Sequence, residues 1–274
     1  MKKTAQYLRE RKAAGGKLTV LTCYDYPSAL WQEAAGVDVI FVGDSVGTNV
    51  LGYESEREVT MDDMLHHLKA VRRGVGDAYL LADLPFGTCD TPAGALENGL
   101  RFASLGAQGV KLEGFAPEAV EALAGRGIDA WGHLGYTPQL LERAGLQART
   151  AGAGVELVQQ CRDLERAGAV AIVLELVPEE VAAEASARLD IPTIGIGAGR
   201  RTDGQVLVVN DLLGVNDFEL RHLDRYTDLR QTGVAALERW VEDVRGERFP
   251  KPAHARHLSR TEREAFKEQM AREG

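Results

Sequence analysis

The chain alternates short, continuous apolar or β-branched runs with longer segments in which apolar residues recur every three or four positions. Runs of this length are typical of strands buried on both faces, as in a parallel sheet covered by helices. The runs are LTVLTCY (18–24), VDVIFVGD (37–44), AYLLADL (78–84), GVKLEG (109–114), IDAWGH (128–133), AIVLEL (171–176), IPTIGIG (191–197) and QVLVVND (205–211).

Most segments between these runs carry the signals of amphipathic helices. TMDDMLHHLKAVRRG combines a capping Thr60 with Asp63 at the third helical position, the arrangement of a capping box. Cap residues followed by proline at Thr91 and Thr137 predict two further helix starts, and Thr4 predicts a short helix before the first strand. The chain is therefore expected to be built from βα units.

Eight strands that alternate with helices predict a (β/α)8 barrel, which typically takes roughly 250 residues. We expect residues 1–274 to form a single barrel domain. A doubly wound open sheet is the alternative that the same pattern allows.

The last third predicts a C-terminal helical extension. A helix from about 228 to 245 has one apolar face, formed by Val234, Leu237, Trp240, Val241 and Val244. From about 259 the chain is a charged tail, in which Thr261 and Glu264 have the spacing of a capping box.

Composition narrows the class of protein. The 274 residues are 45% hydrophobic with a formal net charge of -9, which argues against a nucleic-acid partner. Three cysteines without paired spacing indicate neither disulfides nor a thiolate zinc site. With no secretory signal and no stretch of 18 apolar residues, we expect a cytoplasmic protein without a membrane partner.

Ionisable residues lie at the ends of five consecutive predicted strands, where a (β/α)8 barrel assembles its active site. Taken singly, an acid in this position is commonly the N-cap of the next helix. Four acids at one rim would repel one another, so either some are protonated or a cation lies among them. The candidate residues are Asp44, Ser45, Asp83, Lys111, Glu113, His133 and Glu175.

Oxygen ligands without cysteine favour Mg²⁺, which keeps open positions for a substrate. A 2-oxo acid could chelate through its ketone and carboxylate oxygens, which would make the adjacent carbon more acidic. Glu175 is our choice for the base that removes the proton, and Lys111 could balance the enolate charge. His133 is a metal ligand, an acid or a hydrogen-bonded buried histidine.

The ordered motifs LTCYDYPSA, VGDSVGTNVLGYES, LADLPFGT, GVKLEG, GHLGYTPQ, LELVP and IPTIGIGAGRRTDGQ resemble those of the ketopantoate hydroxymethyltransferase family. The resemblance covers roughly residues 4–250. It implies a barrel of the phosphoenolpyruvate/pyruvate type and the transfer of a hydroxymethyl group from 5,10-methylenetetrahydrofolate to 3-methyl-2-oxobutanoate with Mg²⁺. It also implies a place in pantothenate synthesis and assembly as a homo-oligomer, a decamer.

Matched motif by motif, the resemblance implies a role for each candidate residue. Asp44, Asp83 and Glu113 correspond to the metal site, Glu113 directly or through water. The substrate contacts correspond to Asp44, Ser45, Asp83 and Lys111, with His133 an active-site histidine. Glu175 corresponds to the proton acceptor.

Two segments depart from the family pattern. LLERAGLQARTAGAG (140–154) lacks the usual lysine and Val-Gln-Gly, and FELRHLDRY (218–226) replaces a Pro-Lys-Phe pattern. Two other functions stay open, the first because the same barrel and metal site would serve it and the second because the loop diverges. One is a lyase or mutase that cleaves a C–C or C–P bond beside a 2-oxo acid enolate, with Cys89 as its only candidate cysteine; the other is a catalytically impaired, oligomeric paralogue.

Overall fold

Eight parallel strands close into a barrel in chain order, with the eighth strand hydrogen-bonded to the first. This confirms the (β/α)8 prediction and excludes the open sheet. The strands are β1 Leu18–Thr22, β2 Val39–Val42, β3 Tyr79–Asp83, β4 Gly109–Glu113, β5 Asp129–Gly135, β6 Ala169–Glu175, β7 Thr193–Ile196 and β8 Gly204–Leu207.

The computed structural model describes residues 2–141, 143–217 and 223–273. It divides into two compact units, Met1–Tyr226 and Thr227–Gly274. The first holds the barrel, and the assignment of one domain to the whole chain stays a prediction. Residues 218–222, which belong to the second divergent segment, lie outside the described residues.

The helices of the first unit connect successive strands or flank the barrel. They are α1 Ala5–Ala13, α2 Tyr26–Ala35, α3 Met61–Gly74, α4 Pro92–Ser104, α5 Pro117–Ala124, α6 Ala151–Arg166, α7 Glu179–Arg188 and α8 Val209–Leu212. The predicted caps of α1, α3 and α4 are confirmed, because Thr4, Thr60 and Thr91 each accept a hydrogen bond from a first-turn N–H. Thr60 and Asp63 form the predicted capping box.

The helix start predicted at Thr137 is wrong. Residues 138–140 form a turn, and α6 begins only at Ala151, with Thr150 as its cap. In this turn the N–H of Gln139 donates to the carboxylate of Glu113. A cap followed by proline can start either a helix or a turn.

The eighth strand is shorter than its apolar run predicts. It ends at Leu207, and Val209–Leu212 form the short helix α8. Pairing with β1 stops at Leu21, and the next free N–H, that of Val209, donates to the hydroxyl of Thr22 at 3.0 Å. Here a side-chain hydroxyl takes the place of the backbone acceptor on the neighbouring strand, and an apolar run in the sequence does not reveal this.

The core has two layers. Side chains that point into the barrel, among them Phe41, Tyr79, Leu81 and Trp131, form one cluster, and a larger cluster fills the space between strands and helices. Leu8 of α1 is fully buried in the inner cluster. The N-terminal helix therefore contributes to the interior of the barrel.

Asp38, just before β2, ties the N-terminal segment to the barrel. Its carboxylate lies 3.0 Å from Lys3 Nζ, accepts a hydrogen bond from the hydroxyl of Tyr7 at 2.7 Å, and accepts another from the N–H of Thr19 at 3.0 Å. Burial alone would raise the pKa of Asp38, but these donors and the Lys3 charge lower it. The carboxylate is thus bound as the anion.

The second unit contains α9 Leu229–Arg245 and α10 Arg260–Glu273. The first agrees with the predicted helix, and Val234, Leu237 and Trp240 on it are exposed. The capping box predicted at Thr261 is wrong, because Ser259 accepts the hydrogen bond from the N–H of Glu262. In the described part of the chain, no helix has the length and apolar character needed to cross a membrane.

Candidate active site

Strand register brings the predicted site residues together at the carboxyl ends of the strands. Asp83 on β3 is the register partner of Lys111 on β4, and Glu113 on β4 is the partner of His133 on β5. Gly135, at the end of β5, pairs with Glu175 at the end of β6. Partners on neighbouring parallel strands point to the same face, so the side chains of Asp83 and Lys111 meet, as do those of Glu113 and His133. Gly135 leaves room beside Glu175.

A cavity of about 310 Å³ opens at this end of the barrel. All seven residues predicted from the strand ends line it, and its floor includes the ring systems of Phe41 and Trp131. The structure therefore brings the whole predicted set into one place, while the role of each residue stays a prediction.

Lys111 is the central cation of the site. Its Nζ lies 2.7 Å from Oδ1 of Asp83 and 3.5 Å from Oε1 of Glu113, with all three side chains buried. Burial would lower the pKa of Lys111, but the charges of Asp83, Glu113 and Asp44 outweigh it and raise the pKa. Lys111 is therefore held as an ammonium group.

One lysine does not compensate all of the surrounding carboxylates. Burial, followed by the charges of Asp83 and Glu113, raises the pKa of Asp44 well above its ordinary value. Burial also raises the pKa of Asp83, although Lys111 opposes it. The two aspartates therefore lie where additional positive charge would stabilise their ionised forms.

Glu113 and His133 form a second pair. His133 Nδ1 lies 3.2 Å from Oε1 of Glu113 and 3.3 Å from Lys111 Nζ. Burial would raise the pKa of Glu113, but Lys111 and His133 lower it to about 2. Burial and Lys111 would lower the pKa of His133, yet its contacts with the carboxylates of Glu113 and Glu175 raise it.

Glu175 lies at the rim, with a side chain that is 19% exposed. Its Oε2 is 3.3 Å from His133 Nε2, but the two atoms are not aligned for a hydrogen bond. Its backbone carbonyl accepts a hydrogen bond from the N–H of Tyr136 at 2.8 Å. The next residue, Leu176, has a left-handed backbone (φ 47°), a conformation that costs of the order of 1 kcal/mol or more for a non-glycine residue. The chain thus turns sharply just beyond this carboxylate.

Tyr24 is a site residue that the strand-end pattern did not identify. Its hydroxyl lies 2.9 Å from Oγ of Ser45, and its backbone carbonyl is hydrogen-bonded to Nδ1 of His67 at 2.7 Å. Tyr24 follows β1, so its position after a strand end is the signal that could have found it. The contact holds the Ser45 hydroxyl at the cavity wall.

Gln139, in the turn after β5, is a second such residue. It is 2% exposed, and its side-chain amide donates to Oδ2 of Asp44 at 2.7 Å and to the carbonyl of Leu84 at 3.0 Å. Its backbone N–H donates to Oε2 of Glu113 at 3.0 Å. Gln139 was not predicted as a site residue because the sequence pattern placed it in a helix starting at Thr137.

The divergent loop 140–154 is anchored beside the site. The N–H of Gln147 donates to the carbonyl of Leu176 at 2.7 Å, directly after Glu175. Ala148, the next residue, has a positive φ of 52°. The loop therefore makes a main-chain attachment to the end of β6.

Within the described ranges, no group of three His, Cys, Asp or Glu side chains is arranged to hold a metal ion by itself. Both oxygens of Glu113 already have partners. The fold and this cavity define a barrel enzyme. Its site holds a buried ammonium group, buried carboxylates whose pKa values are shifted in opposite directions, and a carboxylate at the rim. Such a set is suited to acid–base chemistry on a small anionic substrate.

Comparison with known proteins gives the family. The model of the family described as ketopantoate hydroxymethyltransferase matches residues 2–252. The chain is 46% identical to a 3-methyl-2-oxobutanoate hydroxymethyltransferase of Thermotoga neapolitana over 87% of this chain and 91% of that protein. It is 44% identical to one of Chloroflexus aggregans over 96% of both chains. The chain belongs to the ketopantoate hydroxymethyltransferase family and is a transferase.

Solved structures agree on the architecture. A phosphonopyruvate hydrolase in complex with oxalate and Mg²⁺ superposes with a TM-score of 0.62 at 15% identity, covering 99% of this chain and 97% of the other. A 2,3-dimethylmalate lyase of the PEP mutase/isocitrate lyase superfamily gives 0.60 at 17% identity over the full length of both chains. At this identity the likeness shows the fold alone, and that fold agrees with the (β/α)8 barrel.

Proposed function

We propose that the enzyme transfers a hydroxymethyl group from 5,10-methylenetetrahydrofolate to 3-methyl-2-oxobutanoate in the presence of Mg²⁺. With one water consumed, the products are 2-dehydropantoate and tetrahydrofolate. The relatives that carry this activity in their name support the acceptor. The site supplies the rest of the argument.

The observation that carries the proposal is the separation of charge across the cavity. Lys111 and Asp83 form a buried ion pair on one side, whereas Glu175 is partly exposed at the rim on β6. A substrate carboxylate and ketone placed against the buried side would direct the adjacent C–H towards Glu175. Removal of a proton by a base placed in this way typically contributes 10² to 10⁴-fold to a rate.

The donor set fits Mg²⁺. Asp44 and Asp83 offer hard oxygen ligands, and burial raises the pKa of both even with Lys111 nearby, so that a further cation would stabilise their ionised forms. Mg²⁺ usually takes only one or two protein carboxylates and keeps several waters. Asp44 and Asp83 would hold the ion, with Glu113 completing the site directly or through water. When bound, Mg²⁺ would polarise the ketone of the 2-oxo acid.

The chain's own residues then divide the work. Glu175 accepts the proton from C3 of 3-methyl-2-oxobutanoate. Lys111 balances the negative charge that develops on the substrate, and Ser45, held by Tyr24, donates to the substrate carboxylate. His133, whose Nε2 lies 3.3 Å from Glu175, is positioned to stabilise the ionised base. The carbon nucleophile attacks the methylene carbon of the folate, and both C–N bonds of that carbon break. Water supplies the hydroxyl group, and the proton from C3 together with the remaining proton of the water goes to N5 and N10 of tetrahydrofolate.

Deuterium exchange at C3 of 3-methyl-2-oxobutanoate tests the proposal. We expect the wild type to exchange this proton in D₂O with Mg²⁺ present, and Glu175→Gln to lose at least 100-fold of that rate, the lower end of a base contribution. Glu184→Gln, on the exposed face of α7, is the matched control. Full exchange by Glu175→Gln would disprove the assigned base, and exchange without product formation would indicate an impaired paralogue.

The cleavage of a C–C or C–P bond is less well supported. Its candidate cysteine, Cys89, has a pKa raised to about 11, chiefly by burial and then by the charge of Asp90. A thiol with this pKa carries almost no thiolate at neutral pH. The enzyme therefore offers a base that can form an enolate, but Cys89 does not offer a reactive thiolate.

We also propose that the enzyme assembles as a homo-oligomer. Helix α9 exposes Leu237 and Trp240 by 64% and 53%, and apolar side chains exposed together on one helix commonly mark an interface. Light scattering of the purified protein tests this, and a monomer at micromolar concentration would contradict it.

A further inference from the structure

We propose that Gln139 is a positioning residue that sets the affinity of the cavity for its divalent cation by holding Asp44. The inference rests on the proposed function in one respect, namely that Asp44 is a ligand of that cation. It assigns a role to a side chain that lies outside the predicted set of ligands.

The orientation of the Gln139 amide is determined by its partners. Nε2 lies 2.7 Å from Oδ2 of Asp44 and 3.0 Å from the carbonyl oxygen of Leu84, and both of these atoms are acceptors. Only the NH₂ end of the amide can donate to two acceptors, since a flipped amide would direct its oxygen at a carboxylate. Both amide hydrogens are therefore used.

Gln139 connects the ends of three successive strands. Its side chain reaches Asp44, which follows β2, and Leu84, which follows β3, while its backbone N–H binds Glu113 at the end of β4. Glu113 is also held by His133 and Lys111. The Asp44 carboxylate differs from that of Glu113. Among the contacts described for it, one hydrogen bond is present, and the amide of Gln139 donates it.

This arrangement leaves Asp44 suited to bind a cation through one oxygen. With Oδ2 held by the amide, Oδ1 can be offered to a metal without losing that hydrogen bond. A neutral donor also adds no positive charge that would compete with the cation. Residues that orient a metal-binding carboxylate typically change metal affinity by 10- to 100-fold when they are substituted.

The test measures binding of Mn²⁺ alone to the purified full-length protein, by electron paramagnetic resonance of the free ion. Gln139→Met conserves volume and keeps the backbone N–H to Glu113 but removes the amide. We expect it to raise the Kd for Mn²⁺ about 10- to 100-fold. Gln159→Met is the matched control, because the amide of Gln159 donates to Asp163 at 3.1 Å on the exposed side of α6; its Kd should equal that of the wild type.

A double-mutant cycle separates positioning from general loosening of the fold. In an Asp44→Ala background, which removes the acceptor, Gln139→Met should change the Kd no further, because the amide acts through Asp44. A loss that is equally large in that background would overturn the proposal. Gln139→Asn, which keeps an amide but shortens its reach, is the second variant if Gln139→Met does not fold, and circular dichroism establishes folding.

The outcomes distinguish this inference from the proposed function. A folded Gln139→Met or Gln139→Asn with the Kd of the wild type would overturn the role of Gln139 and leave the metal-dependent reaction standing. A wild-type protein that binds no Mn²⁺ would overturn both. In steady-state assays, we expect Gln139→Met to raise the Mg²⁺ concentration for half-maximal rate while kcat at saturating Mg²⁺ changes less.

Discussion

Lys111 Nζ lies 2.7 Å from Oδ1 of Asp83, and both side chains are at least 96% removed from solvent. Removing one partner of such a pair leaves an uncompensated buried charge, which typically costs about 3–5 kcal/mol. We therefore expect Lys111→Met to lower the free energy of unfolding by about this amount at neutral pH without Mg²⁺. Urea unfolding measures it.

The control for this change is Lys69→Met, on the exposed face of α3, which should alter stability by no more than about 0.5 kcal/mol. A Lys111→Met protein as stable as the wild type would show that the surrounding acids are protonated and need no ammonium group.

Tyr24→Phe should weaken binding of the keto acid without abolishing catalysis. The change removes the hydroxyl 2.9 Å from Ser45 Oγ, and one hydrogen bond is worth about 0.5–1.5 kcal/mol, or roughly a two- to tenfold rise in KM for 3-methyl-2-oxobutanoate. Steady-state kinetics separate KM from kcat. Tyr226→Phe, at a side chain that is 78% exposed, should leave both unchanged; an unaltered KM in Tyr24→Phe would exclude a role for this contact in binding.

Gly135→Ala should displace the end of β6. Gly135 has a φ of 96°, and an added Cβ would press against the backbone carbonyl of Glu175. Strain of this kind costs of the order of 1–3 kcal/mol, and movement of Glu175 should slow C3 exchange as well.

The control is Gly152→Ala in α6, where an added Cβ meets nothing within 4 Å. This change should instead stabilise the protein by about 0.5–1 kcal/mol. Equal stabilities of the two variants, measured by thermal unfolding, would contradict this account.

The stabilisation by Asp38 should depend on pH. Its pKa is lowered in the folded protein from an unfolded value of about 3.9. The folded state therefore binds the Asp38 proton less readily, so the contribution is complete above about pH 4 and is lost as the pH falls through the lower folded value. At pH 6, Asp38→Asn should be less stable than the wild type by about 1–3 kcal/mol.

Urea unfolding at pH 6 and pH 3 tests the sign of this effect. The difference between Asp38→Asn and the wild type should shrink at the lower pH, whereas the exposed Asp190→Asn should differ little at either. A difference that grew on acidification would mean that the carboxylate is not bound as an anion.

The sequence predicted the barrel and the seven strand-end residues because both follow from local pattern. A buried parallel strand is a continuous apolar run, and its carboxyl end lies at the barrel mouth, so Asp83 and Lys111 could be placed there without coordinates. Pairing in register then follows from the order of strands. The pKa shifts of Asp44 and Glu113 could not be predicted, because they depend on which charge lies within a few ångströms.

Gln139 and Tyr24 were missed for a different reason. Their contacts join residues that are 95 and 21 positions apart in the chain. The strand-end position of Tyr24 could indicate the residue, but the local sequence does not identify the partner of either side chain. At the end of β8, the hydroxyl of Thr22 replaced a strand partner for Val209. Each of these cases depends on a tertiary hydrogen bond that the local sequence does not specify.

The attachment of Gln147 to Leu176 changes how the divergent loop should be judged. The bond joins a peptide N–H to a peptide carbonyl, groups that almost every amino acid supplies, so it does not depend on which side chains the loop carries. Substitutions could accumulate along this segment over evolutionary time without releasing it from the residue that follows Glu175. Low sequence similarity in the loop is therefore weak evidence for lost catalysis, and a proline at position 147, which has no N–H, would be the informative substitution.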